Sequence, residues 1–565
     1  MTRKHFLLGM TGMAATLSGQ AAVARPKTGK RPNILFVLAD EWRAQAFNHR
    51  GDVNARTPAL DRFWQEAVSF DQAVAGTPVC CPARASLMTG DHALTHGVYI
   101  NDVPLVPRHI TLGEAFAQAG YQTGYIGKWH LHGSPEGRYE RRLEPIPPDK
   151  RFGFQYWKAA ECTHDYNHSI YYAGDDIRPR YWQGYDAIAQ TDDALNFIEA
   201  HHGKDDPYFL MLSWGPPHFP YSAPEAYDRL YRDKDLVLRP NVPEADRAKA
   251  IEELRGYYAA IAALDDCFAR LMLSLDRLGA EDTIVIFASD HGEMAWSQGL
   301  DYKIYPWEES VRVPFMLRYP RKLGTGSKHI DVPLNSPDVM PTLLGLAGVP
   351  VPEGLQGHDF SPSLLGHTDK AAPTSAFLSM PVPITTARTH GIDAYRGVRT
   401  ARHTFVRSLH GPWLLYDNRD DPYQMRNRVD DPAMAATRNA LERDLDSWLT
   451  RLGDDFLPPS AYLQRDGLSH FFETLMPVGR QASAWGDWAS TLPVPARQGR
   501  SIDTALRDLL SNPVTAGIVA RVAPGLVNVS GRRGDMSPRA LSVLAPNVTS
   551  REQLRALENE FAQLR

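Results

Sequence analysis

An α/β fold, with a large, mostly parallel sheet flanked by helices and a smaller C-terminal α+β subdomain, is what this 565-residue sequence predicts. Three observations carry that expectation. Four short apolar runs alternate with long amphipathic stretches, the pattern of strand–helix–strand units whose strands lie parallel. From about Ala376 the pattern changes to short strands that read as antiparallel, followed by one closing amphipathic helix. The length exceeds one ordinary domain, while the apolar, charged and Gly/Pro content is that of a globular chain and excludes a disordered or fibrous one.

In chain order, Arg3-Lys4 precedes an apolar, small-residue stretch through Gly19 and then Ala22-Val23-Ala24. These are the basic region, apolar region and A-x-A site of a signal peptide over 1–24, with cleavage after Ala24. Arg3-Lys4 before Phe6-Leu7 also makes a weak twin-arginine variant, so two export routes stay open. No later apolar run approaches the roughly 18 residues of a membrane span. The mature protein is therefore expected to be soluble, without a membrane span, and periplasmic or secreted.

Asn33 to Ala39 (NILFVLA) is continuously apolar with β-branched residues, as in a parallel strand buried on both faces, and it ends in Asp40-Glu41. Thr57-Pro58 then opens a helical stretch, ALDRFWQEAVSF, with Thr57 as N-cap and Pro58 in the first turn. A second strand, Gln122 to Ile126, leads into Gly127-Lys128-Trp129-His130. A third, Tyr208 to Trp214, leads into Pro216-Pro217-His218, and a fourth, Thr283 to Ala288, into Ser289-Asp290-His291-Gly292. Helices are expected at Ala187–Ala200 and Ala248–Leu278. Ligands of parallel sheets bind beyond the carboxyl ends of the strands. One polar strand end is ordinarily a loop, but four in one register point to a site.

Further on, Tyr395–Ser408 and Trp413–Asp417 read as short antiparallel strands and Met434–Leu452 as a helix. The expected division is a catalytic domain over 31–375, a subdomain over 376–455 and an extension of unread role over 456–565.

The formal net charge is -5 with both signs mixed along the chain, so no nucleic-acid partner is expected. An anionic substrate needs a local cluster of cations instead. Only four cysteines occur, at 80, 81, 162 and 267, too few for a disulfide framework. Cys80-Cys81-Pro82-Ala83-Arg84 is followed by Thr89-Gly90. Pro82 suits the first turn of a helix and Gly90 its end. Cys80 then sits at a helix N-terminus, where unpaired N–H groups and the helix dipole favour an anion. Arg84, one turn on, presents a fork for an oxyanion or a carboxylate. Without its flanks, the same segment reads as a buried cysteine pair or a vicinal disulfide.

With its flanks, the segment resembles the Cys-x-Pro-x-Arg-x(4)-Thr-Gly signature of the formylglycine-dependent sulfatases, in the alkaline-phosphatase-like superfamily. The resemblance runs from Arg31 to about Leu452 through PNILFVLAD, GKWH, SDHGE, DYK…WEESVRVP and LYDNRDDPYQM. It implies that a formylglycine-generating enzyme oxidises Cys80 to formylglycine, whose hydrate carries two hydroxyls. One attacks sulfur and the other restores the aldehyde as sulfate leaves, which a plain Ser or Cys has no second hydroxyl to do. Cys81 fills a variable position. The implied metal ligands are Asp40, Glu41, Asp290 and His291 together with the side chain made from Cys80. The implied ion is Ca²⁺, with Mg²⁺ as the other candidate. Many members have Asp where Glu41 stands, and Asn where His291 stands, so the ligand set stays open. The resemblance further implies that Lys128, His218 and Lys303 contact the substrate. It places Arg84 and His130 beside Cys80 in the catalytic set. His130 takes the proton during sulfate elimination, and His218 or Lys303 protonates the leaving alcohol. Glu308-Glu309 and Arg312 are read as structural, an ion pair and a strand entry.

Phe152–Tyr185 holds Tyr156, Trp157, His164, Tyr166, His168, Tyr171, Tyr172, Tyr181 and Trp182 in an insertion near the pocket mouth. Aromatic faces beside polar groups suit a sugar, though a packed loop cluster accounts for them equally well. The expected substrate is a sulfated carbohydrate. The alternatives are a phosphonate or phosphodiester hydrolase of the same superfamily, or a non-catalytic sulfated-glycan-binding protein whose Cys80 is never oxidised.

Overall fold

In the computed structural model, residues 31–137, 139–383, 387, 390–474, 500–529, 536–544 and 548–564 are described. The expected signal peptide lies outside them. Among the described residues no helix is long and apolar enough to cross a membrane.

Ten strands form one sheet: β1 (Asn33–Asp40), β2 (Val68–Phe70), β3 (Gln122–Lys128), β4 (Tyr156–Ala160), β5 (Ile170–Ala173), β6 (Arg180–Tyr181), β7 (Tyr208–Pro217), β8 (Thr283–Ser289), β9 (Phe315–Arg318) and β10 (Lys328–Ile330). Their order is β10-β2-β9-β8-β1-β7-β3-β4-β5-β6. The middle of the sheet, β8-β1-β7-β3-β4, is parallel throughout. Antiparallel partners appear only towards its edges. The four strands read from the sequence are therefore adjacent in space, and their polar carboxyl ends meet.

The apolar run of β1 has a direct structural cause. Ile34, Phe36 and Leu38 enter one core, while Leu35, Val37 and Ala39 enter a second core on the other face. β8 divides in the same way, with Ile284 and Ile286 on one side and Val285 and Phe287 on the other. A strand buried on both faces has no position to spend on polar residues. The helices expected at Ala187–Ala200 and Ala248–Leu278 are Asp186–His201 and Arg247–Arg277, both contributing to the second core.

Two local expectations are corrected. The helix opened by Pro58 ends at Glu66, and Val68–Phe70 forms β2 instead of a further turn. Its β-branched and aromatic ends pack in a sheet, between β9 and β10. Thr57 does not cap that helix: its hydroxyl donates to Asp61 at 3.0 Å. The free N–H groups of Ala59 and Leu60 donate instead to Asp265, at 3.0 and 2.9 Å. The cap is supplied by another helix 206 residues away, satisfying orphan donors that every helix start leaves.

The insertion over Phe152–Tyr185 belongs to the sheet, supplying β4, β5 and β6. A second, antiparallel sheet contains β11 (Ser375–Met380), β12 (Tyr395–Thr400), β13 (His403–Ser408) and β14 (Gly411–Asp417) in chain order. Helix Ala435–Leu452 covers it through Leu441, Leu445 and Trp448. Helices at Leu506–Ser511, Pro513–Val522, Pro538–Leu544 and Arg551–Ala562 share a separate apolar core around Leu506, Val519, Leu541 and Leu557.

Glu308 is structural, with a wider role than one ion pair. Arg399, from β12, grips it with two bonds of 2.9 and 3.0 Å, both side chains buried, and Arg312 stands 3.6 Å away. Glu309 accepts from Arg239 and Asn241 at 2.9 and 2.7 Å. Replacing Arg399 by Met leaves the Glu308 carboxylate largely uncompensated where the second sheet meets the catalytic part. The expected cost is about 3–5 kcal/mol of stability, read from thermal and urea unfolding.

Candidate active site

Cys80 is the first residue of the helix Cys80–Thr89, which ends on Gly90 in a left-handed conformation (φ 71). That is the N-terminal position and the glycine stop anticipated from Pro82 and Gly90. The thiol faces the carboxyl ends of β1 and β8. Its sulfur is 3.1 Å from His291 Nε2 and 3.8 Å from Asp40 Oδ1. Burial opposes ionisation, but Lys128, Lys303 and His291 overcome it and draw the thiol well below its usual range. A helix start ringed by cations stabilises negative charge at this position.

Cys81 points elsewhere. Its sulfur accepts from the Asp102 N–H at 3.3 Å and its side chain joins the first apolar core. All four cysteines are free thiols, so no vicinal disulfide is present.

Asp40 ends β1, and Asp290 and His291 follow β8. Together with Cys80 they offer four ligand atoms within 4.8 Å of one another, all buried. Arg84 ties the acids together. Its Nε donates to Asp290 Oδ2 at 2.9 Å and its Nη2 to Asp40 Oδ2 at 3.2 Å. Its Nη1 donates to the Lys128 carbonyl at 3.0 Å and to Ser213 Oγ at 2.8 Å. Of the two ligands the fork suited, an oxyanion or a carboxylate, the structure gives it carboxylates. Lys128 Nζ is also ion-paired to Asp40. Burial and the charge of Asp40 nevertheless keep the Asp290 carboxyl above its ordinary value. Against burial, Lys128, His218 and Arg84 hold the Asp40 carboxyl below its ordinary value, so the incompletely offset charge lies on Asp290, where a bound divalent cation would relieve it. Two carboxylates and an imidazole nitrogen are donors that such an ion accepts.

A second cluster faces the first. Glu41 follows Asp40 with a left-handed backbone (φ 69), which turns its carboxylate away from the direction of the strand. Its Oε2 lies 2.9 Å from His218 Nε2 and 3.0 Å from Lys303 Nζ. Asp40, Glu41 and His218 form a second group with the spacing of metal ligands. Burial disfavours the His218 cation, but the charge of Glu41 outweighs it and lifts the imidazole to about 9. Lys303 is delivered by a strained segment: Ala295, Trp296, Gln298, Tyr302 and Ile304 all have positive φ without being glycine. Such backbone costs about 1–3 kcal/mol per residue and gathers at functional sites. Here it is held by bonds such as Met294 N–H to Tyr302 O (2.7 Å) and Ile304 N–H to Pro78 O (3.2 Å).

His130, two residues beyond β3, is buried in a left-handed conformation (φ 58), and neither ring nitrogen has a hydrogen-bond partner among the described residues. Its Nε2 is 3.8 Å from Asp102 Oδ1. The structure thus brings Asp40, Glu41, Cys80, Arg84, Lys128, His130, His218, Asp290, His291 and Lys303 to one end of the parallel sheet.

It adds others that had no sequence signal. Asp102 is held by Arg142 through bonds of 2.7 and 2.6 Å. Ser213, inside β7, links Arg84 to the Lys128 carbonyl. Glu293 is buried against Glu41, and burial with the Glu41 charge pushes it well above the carboxylate range. Only Glu293 lay in a quoted motif, SDHGE, where it was given no role.

Comparison with known proteins supplies the family. The model of the sulfatase family matches residues 32–349, and that of the C-terminal region of N-sulphoglucosamine sulphohydrolase matches 292–450. An ulvan-active sulfatase of Formosa agariphila is 39% identical over 439 residues, spanning 77% of this chain and 84% of that protein. An endo-4-O-sulfatase of Bacteroides thetaiotaomicron is 30% identical over 454 residues, 70% of this chain and 88% of its own. A solved Bacteroides thetaiotaomicron structure, described with the metabolism of multiple glycosaminoglycans, superimposes with a TM-score of 0.67 at 27% identity. It covers 78% of this chain and 99% of its own. The family model spans more than half of the chain, and the chain belongs to the sulfatase family and is a sulfuric ester hydrolase.

Proposed function

We propose that this enzyme removes sulfate from a sulfated carbohydrate, using formylglycine made from Cys80 by a formylglycine-generating enzyme, beside a divalent metal. The observation that carries this reading is the placement of Cys80. It stands at a helix start, between the ligand group Asp40, Asp290 and His291 and the basic side chains Lys128, His218 and Lys303. Asp40, Asp290 and His291, with Glu41 beside them, would hold the metal together with the side chain at position 80. Ca²⁺ is the ion proposed, with Mg²⁺ as the other candidate; when bound, it supplies Lewis acidity and offsets the acids. Hydrated formylglycine supplies one hydroxyl for attack and another for release.

The chain's own groups do the rest. Arg84 clamps the two acids and so sets their spacing. Lys128, His218 and Lys303 receive the sulfate, whose negative charge needs several donors in a buried pocket. His218 or Lys303 gives a proton to the leaving oxygen. His130, 3.8 Å from Asp102, accepts the proton that accompanies sulfate release. The carbohydrate class rests on the relatives' named activities, since Trp157, Tyr166, Tyr172 and Trp182 of the insertion are packed in apolar clusters. The N-terminal basic and apolar segments support export to the periplasm or beyond.

Sulfatase and phosphodiesterase readings part on matched aryl esters. Protein made with a formylglycine-generating enzyme is expected to show higher kcat/KM on the sulfate monoester than on the phosphate or phosphonate diester. A reversed ratio favours the phosphodiesterase reading. Sulfate release across a panel of sulfated glycans tests the carbohydrate assignment, and no turnover of any member refutes it.

A further inference from the structure

His164 has no part in the site as described above, yet it packs directly on it. It follows β4 and is buried, and its ring lies against the ring of His218 with centroids 4.6 Å apart and planes inclined by 27°. Its Nε2 is 3.5 Å from Cys162 Sγ, to which Arg142 Nη1 also donates at 3.8 Å. Arg142 is itself pinned by its two bonds to Asp102. His164 is thus tied through Cys162 to the buried Arg142–Asp102 pair.

His218 is anchored at both ring nitrogens. Nδ1 bonds to the Phe219 carbonyl at 2.6 Å, and Nε2 lies 2.5 Å from Lys303 Nζ and 2.9 Å from Glu41 Oε2. Anchors at the two nitrogens leave the ring free to tilt about the line joining them. A second ring against its face removes that freedom.

We propose that His164 is a positioning residue for His218, holding its ring so that the Nε2 proton meets the leaving oxygen of the ester. This rests on the reading in which His218 protonates the leaving alcohol. As the S–O bond breaks, its electron pair passes to the leaving oxygen, which takes the proton from Nε2. A sugar alkoxide needs that proton, whereas nitrophenolate leaves without it.

The test uses the full chain carrying His164→Ala or His164→Phe, with two esters. One is 4-nitrophenyl sulfate; the other is the sulfated oligosaccharide turned over fastest in the glycan panel. His164→Ala is expected to lower kcat on the oligosaccharide by about tenfold or more, with KM little changed. On nitrophenyl sulfate the change is expected to stay within about threefold. His164→Phe keeps a ring on His218 and is expected to recover most of the lost rate. Should the Ala variant fail to fold, His164→Leu supplies the same comparison with the volume retained. Equal losses on both esters overturn the proposal. So does a raised KM at unchanged kcat, which marks direct substrate contact, and so does a Phe variant no better than Ala. Wild-type protein inactive on both esters overturns the catalytic reading itself, a result distinct from these.

Discussion

Replacing Cys80 by Ala is expected to leave the fold and metal binding in place while lowering turnover by about 10⁴–10⁶-fold, the scale on which enzymes lose rate with their nucleophile. The fold should survive because the packing of this helix rests on Cys81, Ala85, Leu87 and Met88, not on the Cys80 thiol. The loss should be large because, among the described residues grouped at metal-ligand spacing, Cys80 alone carries a thiol that can be converted into the nucleophile. A thiol at this position cannot complete the cycle, since a sulfated thiol has no easy exit. Active protein should therefore show formylglycine at position 80 and an unmodified Cys81 in peptide mass spectrometry. Cys80→Ser separates attack from release: its single hydroxyl can attack but cannot expel sulfate, so a covalent sulfate should accumulate on Ser. Cys81→Ala should keep most activity, because that side chain points into the core. Full turnover from a preparation with an intact thiol at position 80 refutes the mechanism.

Replacing Asp290 by Ala is expected to abolish metal binding and to lower activity by more than the roughly 10–100-fold that follows loss of an outer ligand-supporting group. Local collapse is not expected, because Arg84 keeps Asp40, the Lys128 carbonyl and Ser213 as partners. The readout independent of activity is thermal unfolding with added Ca²⁺ or Mg²⁺. For the wild type, a metal at 100 times its Kd should add about 2.7 kcal/mol of stability, since it binds the folded state alone. Asp290→Ala should show no such gain. A variant that binds and is stabilised like the wild type removes Asp290 from the ligand set, as does full activity in enzyme shown to be metal-free.

Much of this site is legible in the linear sequence for physical reasons. A strand buried on both faces must be apolar at every position, so β1 and β8 announce themselves, and the residue after such a run lies at the carboxyl edge of the sheet. Pro82 and Gly90 mark a short helix by the backbone each permits, and residue type alone therefore places Cys80 at its start. Asp40, Lys128, His218 and Asp290 are all found by that logic.

The remainder depends on which strands become neighbours, and no local pattern encodes that. The Pro58 helix is capped by Asp265, not by Thr57 next door, because the helix Arg247–Arg277 packs across it. Val68–Phe70 continues a helical pattern in sequence but finds open sheet edges on β9 and β10. Ser213 reads as one small residue in an apolar strand, and becomes a link in the site only because β7 lies between β1 and β3. Asp102 lies in no motif, and reaches His130 only through the packing that also brings Arg142 to it. From the sequence alone came the strand ends, the helix start and the chemistry each could hold, because burial and backbone geometry constrain residue type locally. The tertiary structure alone decided that Arg84 clamps two acids, that Glu41 meets His218 and Lys303, and that His164 lies on His218. Those pairings join segments tens to hundreds of residues apart, and only the folded order of the sheet sets the distance between them.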